Sequence, residues 1–209
     1  MLQRMASTRV ILLRHGETAW NLEGRYQGQF DSPLTPSGLA QARALANRLA
    51  GVKFAALYSS DLGRARQTAE CISKSTGHEV HDDPRLRERH LGIFQNLLKA
   101  ELKQKFSDDY RLFKSGGPDY VIAQGESARQ AADRNNACLE ELARRHPDET
   151  IVVVAHGGTI SALLRHTLDI PLGTPRRFER FNASWNVFRF DDGKWFLETW
   201  GDVSHLGVS

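Results

Sequence analysis

The chain has only two cysteines in 209 residues, Cys71 and Cys138, and neither belongs to a CxxC pair. This excludes a disulfide scaffold and a cysteine-based zinc ribbon. The two thiols read as buried free groups in a reducing compartment, with one disulfide as the lesser alternative. No apolar run approaches the ~18 residues of a membrane span. The opening MLQRMASTRV lacks the apolar segment of a secretion signal. The expectation is a cytoplasmic protein with no membrane partner, in which residues 1–7 form a loose leader. Net charge is also scarce, since 28 Lys and Arg against 25 Asp and Glu leave +3. Nucleic-acid binding calls for a dense basic stripe interleaved with aromatics, whereas these cations are scattered. A small excess suits an anionic small molecule if it is focused in a cleft. Repeats and low-complexity segments are absent as well.

What is present reads as one α/β domain over 8–205. TRVILL (8–13) is too short for a helix and rich in Val and Ile, hence a buried strand. LTPSGLAQARALANRLAG offers Thr35 as N-cap, Pro36 at the first helical position and Gly51 as the stop. Its expected inward face is Leu39, Ala42, Ala46 and Leu49. AALYSS (55–60) is a second strand. Asp61 is placed to cap the next helix, with Leu62, Ala65, Ala69 and Ile72 inward and Gly77 ending it. A helix is expected from Ser127 to about His146, and IVVVAHGG (151–158) repeats the opening plan of strand, histidine and glycines. ASWNVFRF-DDGK-WFLETW carries a hairpin signal. The class that follows is a three-layer α/β/α sandwich, its sheet mostly parallel with an antiparallel C-terminal edge hairpin. Residues 92–126 are the least regular and read as a lid or specificity insertion, helical only around NLLKAELKQKF.

Ligands in such sheets bind beyond the carboxyl ends of the strands. His15 and His156 each follow a strand end and precede glycine. Gly157 and Gly158 begin a helix, where free N–H groups favour an anion. Arg14 adds a planar fork of donors suited to phosphate, and Arg64 enters from the first turn after the second strand. Four basic groups converging from three strand ends propose a phosphate pocket with a nucleophile inside it.

Taken together, LRHGETAWN, SSDLGRARQTAE, LRERHLG and VAHGG resemble, in order and spacing, the histidine phosphatase superfamily in its phosphoglycerate mutase-like branch. GRYQGQFDSPLTPSG strengthens the likeness, which runs from about residue 8 to 165 and is weakest between 97 and 124. The resemblance implies that His15 attacks phosphorus and becomes a phosphohistidine. Arg14, Arg64 and His156 would bind the phosphoryl oxygens, assisted by Asn21 and the backbone of Gly157. Glu88 would protonate the leaving oxygen and then take a proton from water, with Glu17 the next candidate for that role. Gln27 joins Asn21 and Gly157 as a substrate-binding residue, while Tyr26, Phe94 and Tyr120 would face the leaving group or pack the lid. No metal or other cofactor is expected, since Arg and His do the work of a cation. HEVHDD (78–83) reads as a solvated strand end.

The expected function is a metal-independent phosphomonoesterase for a small phosphorylated metabolite, with phosphoglycerate mutase second. RERHLG and NLEGR lean to the mutase. Against it, the resembling mutases are longer and read HGN where this chain reads HGG at 156–158. Asn96 stands where relatives commonly have glycine. An idle phosphate-binding module is the weaker alternative, since both His15 and Glu88 are present. The hairpin edge offers a surface for a homodimer.

Overall fold

The computed structural model describes residues 7–207, so the expected leader lies outside the described residues except for Ser7. The first apolar run forms β1 (Ser7–Arg14), in which Val10, Ile11, Leu12 and Leu13 are fully buried. Burying each such side chain contributes roughly 1.5–3 kcal/mol. Four in succession, without polar alternation, require cover on both faces of the sheet.

The alternation of strand side chains supplies that cover. Val10 and Leu12 pack with residues of α6 (Ala128–Arg145) and α7 (Gly157–Thr167). Ile11 and Leu13 pack against α2 (Pro36–Leu49) and α3 (Gly63–Thr76). Parallel to β1 run β6 (Thr150–Ala155), then β3 (Ala56–Ser59) and β4 (Val80–Asp82). On its other side β7 (Trp185–Asp191) and β8 (Lys194–Asp202) add antiparallel strands, giving the order β4-β3-β6-β1-β7-β8. Asp192 and Gly193 turn the hairpin with φ of 48° and 73°, the positive pair that a two-residue primed turn needs. The three-layer α/β/α class with its antiparallel edge is therefore correct.

Local details differ from the sequence reading. Thr35 caps α2 as expected, its hydroxyl accepting Gly38 N–H at 2.9 Å. The helix nevertheless closes on Ala50 in right-handed geometry, so Gly51 is not needed as a left-handed stop. Leu39 is exposed on a groove between α2 and α3, and Leu45 takes its place in the core. Asp61 does not cap α3, because its carboxylate is held by Arg87. The cap comes through space: Asp31 Oδ2 accepts Gly63 N–H at 2.8 Å. Cys138 is buried but Cys71 only half-buried, and both are free.

Within 92–126, the expected helix appears as α4 (Lys99–Lys105), and a second, α5 (Ser107–Ser115), follows where none was expected. Their buried residues Leu102 and Tyr110 join Phe94 and Ile122 in a small separate cluster. A two-residue strand, β5 (Leu97–Leu98), pairs with β2 (Arg25–Tyr26), tying this segment to the loop after the first motif. Asn96, just before β5, has φ of 66°. Asparagine tolerates this left-handed conformation better than other side-chain-bearing residues. Its N–H donates to Tyr26 O at 2.8 Å, which holds the turn in place.

Candidate active site

β1 ends at Arg14 and β6 at Ala155, so His15 and His156 lie side by side at the carboxyl edge, their ring centroids 5.3 Å apart. A cavity of about 410 Å³ opens there, lined by Arg14, His15, Asn21, Gln27, Arg64 and Glu88 among others.

His15 is 3% exposed, and its Nδ1 lies 2.7 Å from Gly16 O. A carbonyl only accepts, so the ring proton sits on Nδ1 and the lone pair on Nε2 is free. Burial, followed by the charges of Arg64 and Arg14, holds the His15 pKa well below the usual histidine value. The ring is neutral at physiological pH, as a nitrogen nucleophile must be.

His156 is also fully buried, and burial, Arg64, His15 and Arg14 depress its pKa as well. Its Nε2 is 2.8 Å from Ser60 Oγ, which already accepts Leu62 N–H at 3.3 Å. With the one hydroxyl proton given to Nε2, the ring's own proton sits on Nδ1. That atom is buried with no hydrogen-bond partner among the described residues.

Two buried neutral histidines carry a consequence for stability. On unfolding below pH ~6.5 each regains an ordinary pKa and binds a proton, so stability falls with falling pH, by up to about 1.4 kcal/mol per pH unit for each ring. Urea denaturation of the free protein between pH 7 and 5 should show this slope. A His15→Gln/His156→Gln double variant should lose most of it, and an unchanged slope would show that the rings are charged in the fold.

Arg64 is almost fully buried and is aimed by the loop before α2. Its Nη2 donates to Gly28 O at 2.8 Å, and its Nη1 to Phe30 O at 2.9 Å and Asp31 Oδ1 at 3.2 Å. Arg14 Nη1 donates to Arg180 O. Burial first, then the Arg180 charge, lowers the Arg14 pKa to about 10, which leaves it a cation at neutral pH. The Nε atoms of both arginines are buried without partners.

Glu88 meets the end of α7. Its Oε2 accepts Gly158 N–H at 3.0 Å and its Oε1 accepts Arg89 N–H at 2.9 Å. The expected free N–H of Gly158 is therefore taken, because a carboxylate of the chain itself occupies the helix N-terminus. A Cβ at position 158 would lie 1.9 Å from Glu88 Oε1, so any side chain there would displace the carboxylate. Gly157 does not line the cavity but lies beside Arg14, with Arg14 Nε 3.5 Å from where its Cβ would stand.

Asn21 is half committed, its Oδ1 accepting from Thr18 N–H at 3.1 Å and Asn182 Nδ2 at 3.1 Å, which leaves its amide as donor. Gln27 donates to Thr18 Oγ1 at 2.8 Å and keeps a buried, unpartnered Oε1. An acceptor suits a donor group on a substrate rather than a phosphoryl oxygen. Glu17 is off the cavity, with its carboxylate accepting the Thr35 hydroxyl at 2.8 Å, so it is withdrawn as the alternative acid. Four contributors had no role in the sequence reading: Ser60, Asp31, Arg180 and Gln29, whose amide donates to Glu88 O at 3.1 Å. Ser60 and Asp31 stand inside the motifs SSDLGRARQTAE and GRYQGQFDSP. Arg180 was signalled only by the arginine cluster PRRFER.

Among the described residues no group of three or more His, Cys, Asp or Glu is arranged to hold a metal ion, and no helix is long and apolar enough to cross a membrane.

The family model for the histidine phosphatase superfamily (branch 1) matches residues 10–203. A metal-independent phosphoserine phosphatase of Arabidopsis thaliana is 44% identical over 203 residues, covering 95% of this chain and 83% of that protein. Phosphoglycerate mutase-like protein 4 of the same plant is 42% identical over 202 residues, covering 94% of this chain and 86% of its own length. A solved mycobacterial glucosyl-3-phosphoglycerate phosphatase, complexed with VO3, superposes with a TM-score of 0.81 at 35% identity, covering 95% of this chain and 99% of that one.

Proposed function

The chain belongs to the histidine phosphatase superfamily and is an enzyme of phosphoryl transfer, and from that premise we propose that His15, Arg14, Arg64, His156 and Glu88 carry out phosphomonoester hydrolysis. His15 Nε2 attacks phosphorus as the bond from phosphorus to the ester oxygen breaks. Glu88, protonated, gives its proton to the leaving oxygen. Water then attacks the phosphohistidine, Glu88 takes a proton from it, and inorganic phosphate leaves with His15 neutral again. Arg14, Arg64 and the His156 Nδ1–H stabilise the charge on the equatorial oxygens. The observation that carries this reading is the free Nε2 of a neutral His15, its other nitrogen tied to Gly16 O, beside guanidinium groups with unmet donors.

A cavity of about 410 Å³ accommodates a small phosphorylated metabolite. Asn21 and Gln27 would contact it, Gly157 would act only through Arg14 beside it, and residues 92–126 would form the lid that selects it. Hydrolysis is preferred to mutase action because the metal-independent phosphoserine phosphatase matches 95% of this chain at 44% identity. The mutase-like relative keeps phosphoglycerate mutase as the second reading. Free thiols favour a cytoplasmic location, and the open β8 edge would support a homodimer.

The test is release of phosphate from p-nitrophenyl phosphate in excess EDTA. Turnover should persist at the rate seen without chelator. Loss of activity on chelation, restored by one divalent cation, would overturn the metal-free mechanism.

A further inference from the structure

Arg14, Arg64 and His156, the three proposed phosphoryl ligands, share one signature: each keeps a buried N–H donor with no partner. Such donors are rare in folded proteins because each costs roughly 1–3 kcal/mol unless something arrives to meet it. Arg180 shows the same signature, its Nε buried and unpartnered. It lines the cavity with Arg14, His15, Arg64 and Glu88.

The other guanidiniums of the cavity are occupied. Arg25 pairs with Glu23 at 2.8 Å. Arg89 ends on the carbonyls of Glu126 and Tyr120, and Arg165 on those of Pro171 and Thr174. Arg180 has no ion-pair partner among the described residues. Its Nη1 lies 3.5 Å from the point beside Gly157 where a Cβ would stand, the same distance as Arg14 Nε. Of the neighbouring charges, Arg180 acts most strongly on Arg14, and Glu88 acts most strongly on Arg180. The guanidinium therefore lines the same cavity as the Arg14 fork and the carboxylate assigned to the leaving oxygen.

We infer that Arg180 is a further catalytic residue, a third guanidinium of the phosphoryl site that binds a phosphoryl oxygen on the side facing Glu88. The inference rests on the phosphatase reading above. It explains why a partly buried cation is left without a carboxylate, since the phosphoryl dianion is its counter-charge. Its backbone takes part independently: the Arg180 carbonyl orients Arg14 and survives any side-chain change.

The experiment measures inhibition by orthovanadate and by inorganic phosphate, alongside kcat/KM for p-nitrophenyl phosphate, in Arg180→Gln, Arg180→Lys and Arg176→Gln. Arg176 is exposed, so its variant removes the same charge from the neighbourhood without touching the cavity. Arg180→Gln should weaken both inhibitors by about 10–100-fold and lower kcat/KM at least as much, as expected when a charged hydrogen bond is lost. Arg180→Lys keeps the charge but not the fork, and should fall between wild type and Arg180→Gln. Arg176→Gln should stay within about twofold of wild type. Unchanged inhibition in Arg180→Gln, or equal losses in Arg180→Gln and Arg176→Gln, would overturn the assignment. If Arg180→Gln fails to fold, Arg180→Lys decides alone, and inhibition equal to wild type rejects the contact. If the wild-type protein is neither inhibited by vanadate nor active on the ester, it is the phosphatase reading that fails.

Discussion

His15→Ala should abolish phosphate release, by about 10⁵–10⁶-fold in kcat, while the protein stays folded. A nucleophile that forms the covalent intermediate has no substitute in the cavity, and its removal typically costs this much. The fold should survive because His15 follows the last residue of β1 and belongs to none of the buried apolar clusters that hold the sheet to its helices. Its ring contributes a bond to the adjacent Gly16 carbonyl and contact with His156, both local. Its main-chain carbonyl, which accepts from Ala183 N–H at 3.1 Å and Asn182 Nδ2 at 3.2 Å, is unaffected by the substitution. Initial rates with p-nitrophenyl phosphate, paired with thermal melting by circular dichroism, check both halves. A well-folded variant with activity near wild type would reject His15 as the nucleophile. The second test is chemical: the wild-type protein quenched during turnover should carry an acid-labile, base-stable phosphoryl group, and His15→Ala should carry none.

The parts of this fold that could be read from sequence are those governed by neighbours along the chain. An apolar run that ends in His-Gly marks a strand meeting a site, twice. Thr35 before Pro36 and Ser127 before α6 announce helix starts because a cap hydroxyl bonds to a backbone N–H three residues on. Asp-Gly marks the hairpin for the same local reason. What was misread depends on groups distant in sequence. Asp61 has the position of a cap but is drawn to Arg87, while Asp31 caps α3 from 32 residues away. Leu39 has the periodicity of a core residue, but the first turn of α2 packs through Gly38 on the Glu17 backbone and leaves Leu39 on the open groove beside α3. α5 is short and mostly polar, and is held by the small cluster around Phe94.

The site divides in the same way. Residues delivered by strand ends, His15, Arg14 and His156, were legible because the sheet dictates where a strand ends. Gly158 was read as an open anion site, and the carboxylate that fills it comes from position 88, 70 residues earlier. Ser60 and Arg180 matter through what they face. One orients the proton of His156 and the other meets nothing until an anion binds.

Glu88→Gln separates proton transfer from charge stabilisation, and its effect should depend on the leaving group. Both Glu88 oxygens accept backbone N–H groups, from Gly158 at 3.0 Å and Arg89 at 2.9 Å. A glutamine keeps the shape and one of those bonds, but its amide nitrogen cannot accept the other and the group cannot give up a proton. An alkyl phosphate leaves as a strong base and needs that proton, so its hydrolysis should fall by about 10²–10⁴-fold. p-Nitrophenolate is a stable anion that needs little help, so formation of the phosphohistidine from this ester should fall by less than about tenfold. Arg64→Ala should lower both substrates together, because every phosphoryl transfer requires the charge stabilisation it removes. Rapid-quench measurement of phosphoenzyme formation isolates the first step from water attack, where Glu88 would act as base for either substrate. A Glu88→Gln enzyme should therefore load quickly from p-nitrophenyl phosphate, accumulate phosphohistidine and release phosphate slowly. Equal losses for the two leaving groups in the loading step would remove Glu88 from the acid role. Among the described residues that line the cavity no other carboxylic acid stands ready to take it, so the proton would then have to come from solvent.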